Sequence, residues 1–166
     1  MPRWESEQTV TQSVLERLID RDPALAVDPP PSRAQSVRLL KQSLRRDLEW
    51  VLNTRRTPTP AGSEFAELEK SLYNFGLPDV TNLSWDNSRD RSRLARTLEQ
   101  TVAIFEPRIT GLKVVALEYA PGAQHILRFQ IQGLLDMDPA PEHISFDTVL
   151  QLTSGEYQVK GDTGAG

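Results

Sequence analysis

Glu106 and Arg108 flank Pro107 in AIFEPRITGLKVV, residues 103 to 115, where an amphipathic pattern hands over to a β-rich one. A carboxyl in apolar surroundings has a raised pKa and can serve as the general acid of a glycoside hydrolase. Such an enzyme needs a second carboxyl roughly 5 to 9.5 Å away across a sugar cleft. Asp86, Glu118 and Asp136 could supply one, but no spacing rule ties any of them to Glu106. Arg108, two positions on, would lower the acid's pKa if it lies near, which spoils a general acid. The three tryptophans, Trp4, Trp50 and Trp85, are too scattered to line a sugar cleft. Two other readings remain. In one, a helix-stopping proline stands between two solvated charges. In the other, which we prefer, the proline fixes the backbone of a contact site, and Arg108 reaches a partner's carboxylate or helix-terminal carbonyls.

Other chemistries find less support. His125 and His143 are the only histidines and lack metal-ligand spacing, so no metal or other cofactor is expected. Ser63 and Ser154 lie beside glycines without forming a nucleophile elbow, and no phosphate-cradling glycine loop is present. Arg89, Arg93 and Arg96 form a stripe without an aromatic stacking platform, which reads as a solvated helix face rather than a nucleic-acid site.

The elements that must hold Glu106 in place belong to a chain of 166 residues, the size of one domain with appendages. Hydrophobic residues make up 38% and mean hydropathy is −0.45, so part of the chain is expected outside the core. Cysteine is absent, which excludes disulfides and fits a reducing compartment. No apolar run is long enough to span a bilayer and MPRWESEQTV lacks a secretory h-region. A cytoplasmic protein without direct membrane insertion is therefore expected. Net charge is −4, which gives nucleic acid no overall attraction. Of the 19 basic residues 15 are arginine, which fits either codon bias or selection for two-pronged carboxylate contacts.

Val10, Val14 and Leu18 repeat every fourth residue, with Leu15 and Ile19 beside them, so residues 1–22 read as an amphipathic helical arm of roughly three turns. A helix this short is marginal alone, so its apolar face must dock on its own domain or, the preferred reading, on a partner's groove. Residues 23–35, with Pro29, Pro30 and Pro31 consecutive, form a stiff linker. The body spans residues 36–160. Its first helix opens near Ser36 with Val37, Leu40, Leu44, Leu48 and Val51 on one face. A short helix over Leu68 to Phe75 stops at Gly76. The next helix, capped by Asp86 or Ser88, turns Leu94, Leu98, Thr101, Val102 and Phe105 inward and ends at Pro107. Strands follow over LKVVALEYA, ILRFQIQGLLDM, ISFDTVLQL and EYQVK, with PGA and Ser154-Gly155 as turns. Residues 161–166 are expected to be a disordered tail. The fold class is α+β: two main helices on a largely antiparallel sheet of about four strands, with an N-terminal helical arm.

In order along the chain, SVLERLIDRD, RRDLEWVLNTRR, SLYNFGLPD, FEPRI and RFQIQGLL closely resemble the TssE family of type VI secretion baseplate subunits, part of the phage-tail baseplate family long labelled lysozyme-like. The resemblance runs over roughly residues 10–152. It implies a non-enzymatic protein in the wedge of a contractile injection machine, beside TssF and TssG, with TssK a further candidate partner. It implies a domain shaped like the sheath's handshake domain, from which TssB/TssC sheath polymerisation starts. Glu106, Pro107 and Arg108 match the family's signature, implicated in wedge contact; the lysozyme label reads as a misnomer. Strand addition to an unpaired sheet edge would suit sheath nucleation, at EYQVK or at FDTVLQL. A peptidoglycan-cleaving glycoside hydrolase using Glu106 is the alternative.

Overall fold

The computed structural model describes residues 14–19, 23–24, 32–59, 64–80, 87–117, 126–137 and 140–162. Val10, Asp86, the triple proline, the PGA turn and the last four residues lie outside the described residues. Among the described residues three α-helices precede a four-stranded sheet: α1 (Val14–Leu18), α2 (Arg33–Asn53), α3 (Ser88–Phe105), then β1 (Ile109–Ala116), β2 (Ile126–Leu135), β3 (Glu142–Gln151) and β4 (Glu156–Asp162). The sheet is antiparallel throughout, in the order β1-β2-β3-β4. The α+β expectation therefore holds.

α2 begins at Arg33 rather than near Ser36. Ser32 caps it with a reciprocal box: its hydroxyl accepts from the Gln35 amide, and the Gln35 side chain accepts from the Ser32 amide. α3 is capped by Asn87, whose side chain accepts from the Arg89 amide, and Ser88 is its first helical residue. The expected helix over Leu68 to Phe75 is instead two 3-10 turns, Ala66–Lys70 and Leu72–Asn74. Ser71 separates them by donating to the Leu68 carbonyl and accepting from the Tyr73 amide, a local alternative to α-helical pairing. Gly76 follows with φ +96, where a side chain would also collide with the Thr54 carbonyl. That close approach lets Leu77 donate to Thr54 and accept from Arg56, tying this segment to the end of α2.

The core lies between the two long helices and one face of the sheet. Leu40, Leu44, Leu48 and Val51 of α2 and Leu94, Leu98 and Val102 of α3 are buried against Leu127, Phe129, Ile131, Ile144, Phe146 and Leu150. Alternation along β2 turns Leu127, Phe129, Ile131 and Leu135 inward and leaves Arg128 and Gln132 exposed. Phe105, expected inside, is only partly buried and meets Phe75 edge-on, ring centroids 5.1 Å apart.

Both outer strands have backbone groups occupied by helix side chains. Asn53 at the end of α2 donates to the Tyr157 carbonyl (2.9 Å) and accepts from its amide (2.8 Å), and Glu49 accepts from the Val159 amide (3.1 Å). On β1, Glu99 of α3 accepts from the Val114 amide (2.9 Å). Helix side chains thus blunt both edges. FDTVLQL belongs to β3, which lies between β2 and β4, so it is not an edge and cannot accept an added strand. β4 continues to Asp162, two residues into the segment expected to be a loose tail, because Asp162 still pairs with Phe146.

Candidate functional site

α3 ends at Phe105, and Glu106 is its C-cap, donating its amide to the Val102 carbonyl. The Pro107 ring forbids another helical turn, and the Glu106 carbonyl accepts from the Ile109 amide to start β1. This corner points Glu106 inward, leaves Pro107 exposed and keeps Arg108 partly buried. The Glu106 side chain is 6% exposed.

Arg108 does not reach outward for a charge, because it already has two within the chain. Its Nε (3.0 Å) and Nη2 (2.6 Å) donate to Oε2 of Glu106, and the same Nη2 donates to Oδ2 of Asp47 on α2 (2.8 Å). The other oxygen of Asp47 lies 3.3 Å from Nη2 of Arg46, whose Nη1 stands 2.7 Å from the carboxylate of Glu16 on α1. The Arg46 guanidinium lies over the Trp50 ring, 5.1 Å from its centroid. Alternating charges therefore run from the helix-strand joint, across α2, to the arm: Glu106, Arg108, Asp47, Arg46, Glu16.

Burial is the largest influence on Glu106 and raises its pKa above the ordinary 4.5. The Arg108 hydrogen bond and charge pull it down without cancelling the rise, and the Asp47 charge adds to it. Arg108 thus lowers the Glu106 pKa as its position in the sequence implies, but burial outweighs it. Burial also works against the Arg108 charge, but its bonds to Glu106 and Asp47 outweigh that and hold its pKa above the ordinary value. The Glu106 carboxyl is thus enclosed, and one of its oxygens already accepts twice from a guanidinium. The acid that lies near it, Asp47, shares that guanidinium instead of facing it across a cleft.

On the arm the described apolar residues face away from the body. Val14 is 71% and Leu18 76% exposed, and Leu15 and Ile19 are also exposed, whereas Glu16 is buried. The buried acid ties the arm to the body through its ion pair with Arg46, while Val14 and Leu18 stay in solvent. Replacing Glu16 with glutamine should therefore release it. Limited proteolysis should cut between arm and body faster in the variant, while the body's melting temperature stays the same. Equal cleavage rates would show that the ion pair does not hold the arm.

Sequence reasoning placed the motif at the joint but missed Asp47, Arg46 and Glu16. The one local signal was Asp47 in RRDLEW, a charge bordering the apolar stripe of α2, where an unpaired carboxylate would be costly. Its partner stands 61 residues on, and no local pattern names it. Among the described residues no cluster of His, Cys, Asp and Glu could hold a metal ion, and no helix is long and apolar enough to cross a membrane. The family model described as baseplate wedge protein gp25 matches residues 38–140, the stretch that contains most of α2, all of α3, β1 and β2 and the Glu106–Arg108 joint. No curated protein matches the chain.

Proposed function

The chain belongs to the baseplate wedge protein gp25 family, and from that we propose that it is a structural, non-enzymatic baseplate subunit of a type VI secretion machine. In this reading it joins the TssF/TssG wedge to the sheath and offers TssB/TssC a surface from which to polymerise, with TssK a further neighbour. Its place is cytoplasmic, at the baseplate beneath the inner membrane.

One observation carries the reading: a short helix held to the body by Glu16 with Val14, Leu15, Leu18 and Ile19 turned outward. An exposed apolar face on a helix too short to be stable alone is suited to a partner's groove, where i, i+4 anchors bury together. We assign the arm, with Val10 as the next position on the same stripe, to the wedge. Glu106, Pro107 and Arg108 form a second contact: the ion pairs hold the corner rigid, and the exposed Pro107 and the outer part of Arg108 touch the neighbour. Strand addition by the sheath is assigned to the end of β4 beyond Val159, past the backbone groups that Asn53 and Glu49 occupy.

The test is co-purification of TssF and TssG with wild type and with Val14→Asp/Leu18→Asp. Both side chains are exposed, so the variant should melt like wild type, yet it should lose most of the captured wedge. Unimpaired capture by a folded variant would remove the arm from the interface, and failure of wild type to capture either protein would remove the wedge assignment.

A further inference from the structure

Arg38, Lys41 and Arg45 follow one another on α2 at three- and four-residue spacing, so they lie along one line of the helix. Arg38 and Arg45 are exposed and form no ion pair with another described residue. Lys41 reaches Glu142 at 2.9 Å. These three side chains line a groove of about 730 Å³ that Glu49, Phe146 and Gly161 also line. Arg46, also lining it, already holds the carboxylate of Glu16, a residue only 4% exposed. The outward backbone groups of Tyr157 and Val159 are taken by Asn53 and Glu49. Two residues further, on the same face as Tyr157 and Val159, nothing lies within 4 Å of where a Cβ on Gly161 would stand, so the groove is open over that face at the end of β4.

We propose that this groove takes an extended acidic segment of a partner protein. The segment lies beside the end of β4 with its carboxylates on Arg38, Lys41 and Arg45, and Glu16 of the arm is the chain's own occupant at the Arg46 position. Charge complementarity selects the occupant. Alternate residues of an extended chain stand about 6.7 Å apart on one side, close to the roughly 5–6 Å between helix positions three or four apart. A row of alternate carboxylates therefore meets a row of cations. That the segment is a sheath arm rests on the strand-addition reading above; the chemistry of the groove does not.

The probe is a fluorescein-labelled decapeptide of alternating glutamate and valine, its binding to the full chain read by anisotropy. It should bind saturably and weaken as salt rises from about 0.05 M to about 0.3 M, because exposed cations are screened. A lysine–valine decapeptide should not bind. Arg38→Glu/Arg45→Glu should weaken the acidic peptide by about tenfold or more without lowering the melting temperature, and Arg38→Gln/Arg45→Gln should do so to a lesser degree. Glu16→Gln, which removes one of the two carboxylates paired with Arg46, should tighten it. Absence of binding, equal binding of both peptides, or indifference to the Arg38/Arg45 changes would overturn the proposal. TssF and TssG capture by the Arg38→Glu/Arg45→Glu variant is read separately. Retained wedge capture with lost peptide binding supports a partner other than the wedge; loss of both with an unchanged melt gives the groove to the wedge and overturns the sheath as owner. Failure of wild type to capture the wedge at all would count against the baseplate role and leave the peptide result standing.

Discussion

Replacing Arg108 with alanine should destabilise the protein by about 3 kcal/mol, lowering its melting temperature by roughly 10 °C. The substitution leaves Glu106, 6% exposed at its side chain, without the guanidinium that donates to it twice, and strips Asp47 of the same partner. Breaking a buried pair from one side costs about 3–5 kcal/mol; Arg108, itself 29% exposed, belongs at the lower end because water can enter. Adding Glu106→Gln to Arg108→Ala should restore part of the loss, since a neutral amide is cheaper to bury unpaired than a carboxylate. An unchanged melt for Arg108→Ala would mean that the three-residue corner is held by its backbone alone. This has a consequence for interface work: lost partner binding in Arg108→Ala does not identify a contact unless the variant is shown to be folded.

The same site gives a pH signature. Burial raises the Glu106 pKa in the folded chain, so the native state takes up the proton more readily than the unfolded one. The contribution of this group is therefore most favourable below the ordinary value of 4.5 and is lost as pH rises through the raised value. Glu106→Gln cannot titrate. Denaturant unfolding from about pH 4 to pH 7 should show the variant gaining on wild type as pH rises. The opposite slope would mean that the charge and hydrogen bonds of Arg108 outweigh burial and that the pKa is lowered.

Phe129→Ala should cost about 3–5 kcal/mol in denaturant unfolding. Phe129 is 1% exposed on a central strand, flanked in register by Thr148 of β3 and Ala116 of β1, so truncation leaves a cavity its neighbours cannot close without breaking two ladders. Leu72, 83% exposed on the second 3-10 turn, is the contrast: Leu72→Ala should change stability by no more than about 0.5 kcal/mol. Comparable losses at both positions would mean that Leu72 is covered in solution, which would point to self-association through the 3-10 segment.

Much of this was written into short windows of sequence. The four-residue recurrence of Leu40, Leu44 and Leu48 and the alternation of Leu127, Phe129 and Ile131 specify α2 and β2, because a helix face and a strand face repeat at fixed intervals wherever they occur. Pro107 ends α3 by local sterics alone, whereas the box of Ser32 with Gln35 that begins α2 overrides the apolar pattern, which placed the start near Ser36 and left residues 32–35 in the linker. The order of the motifs, too, was enough to suggest the family that the matched model shows.

Tertiary structure alone decided what those elements do to one another. Whether Glu106 is a solvated charge, an acid or one link in a lock depends on Asp47, brought to Arg108 from 61 residues away by the packing of α2. Whether the apolar stripe of the arm faces the body or the solvent depends on Arg46, which captures Glu16 and turns Val14 and Leu18 outward. Whether a β-rich segment is an edge depends on strand order, and β3 fails that test although its sequence resembles its neighbours'. Helix and strand periodicity arise from bonds between near neighbours along the chain. Ion pairing, exposure and edges arise from separations through space, which a linear pattern does not contain.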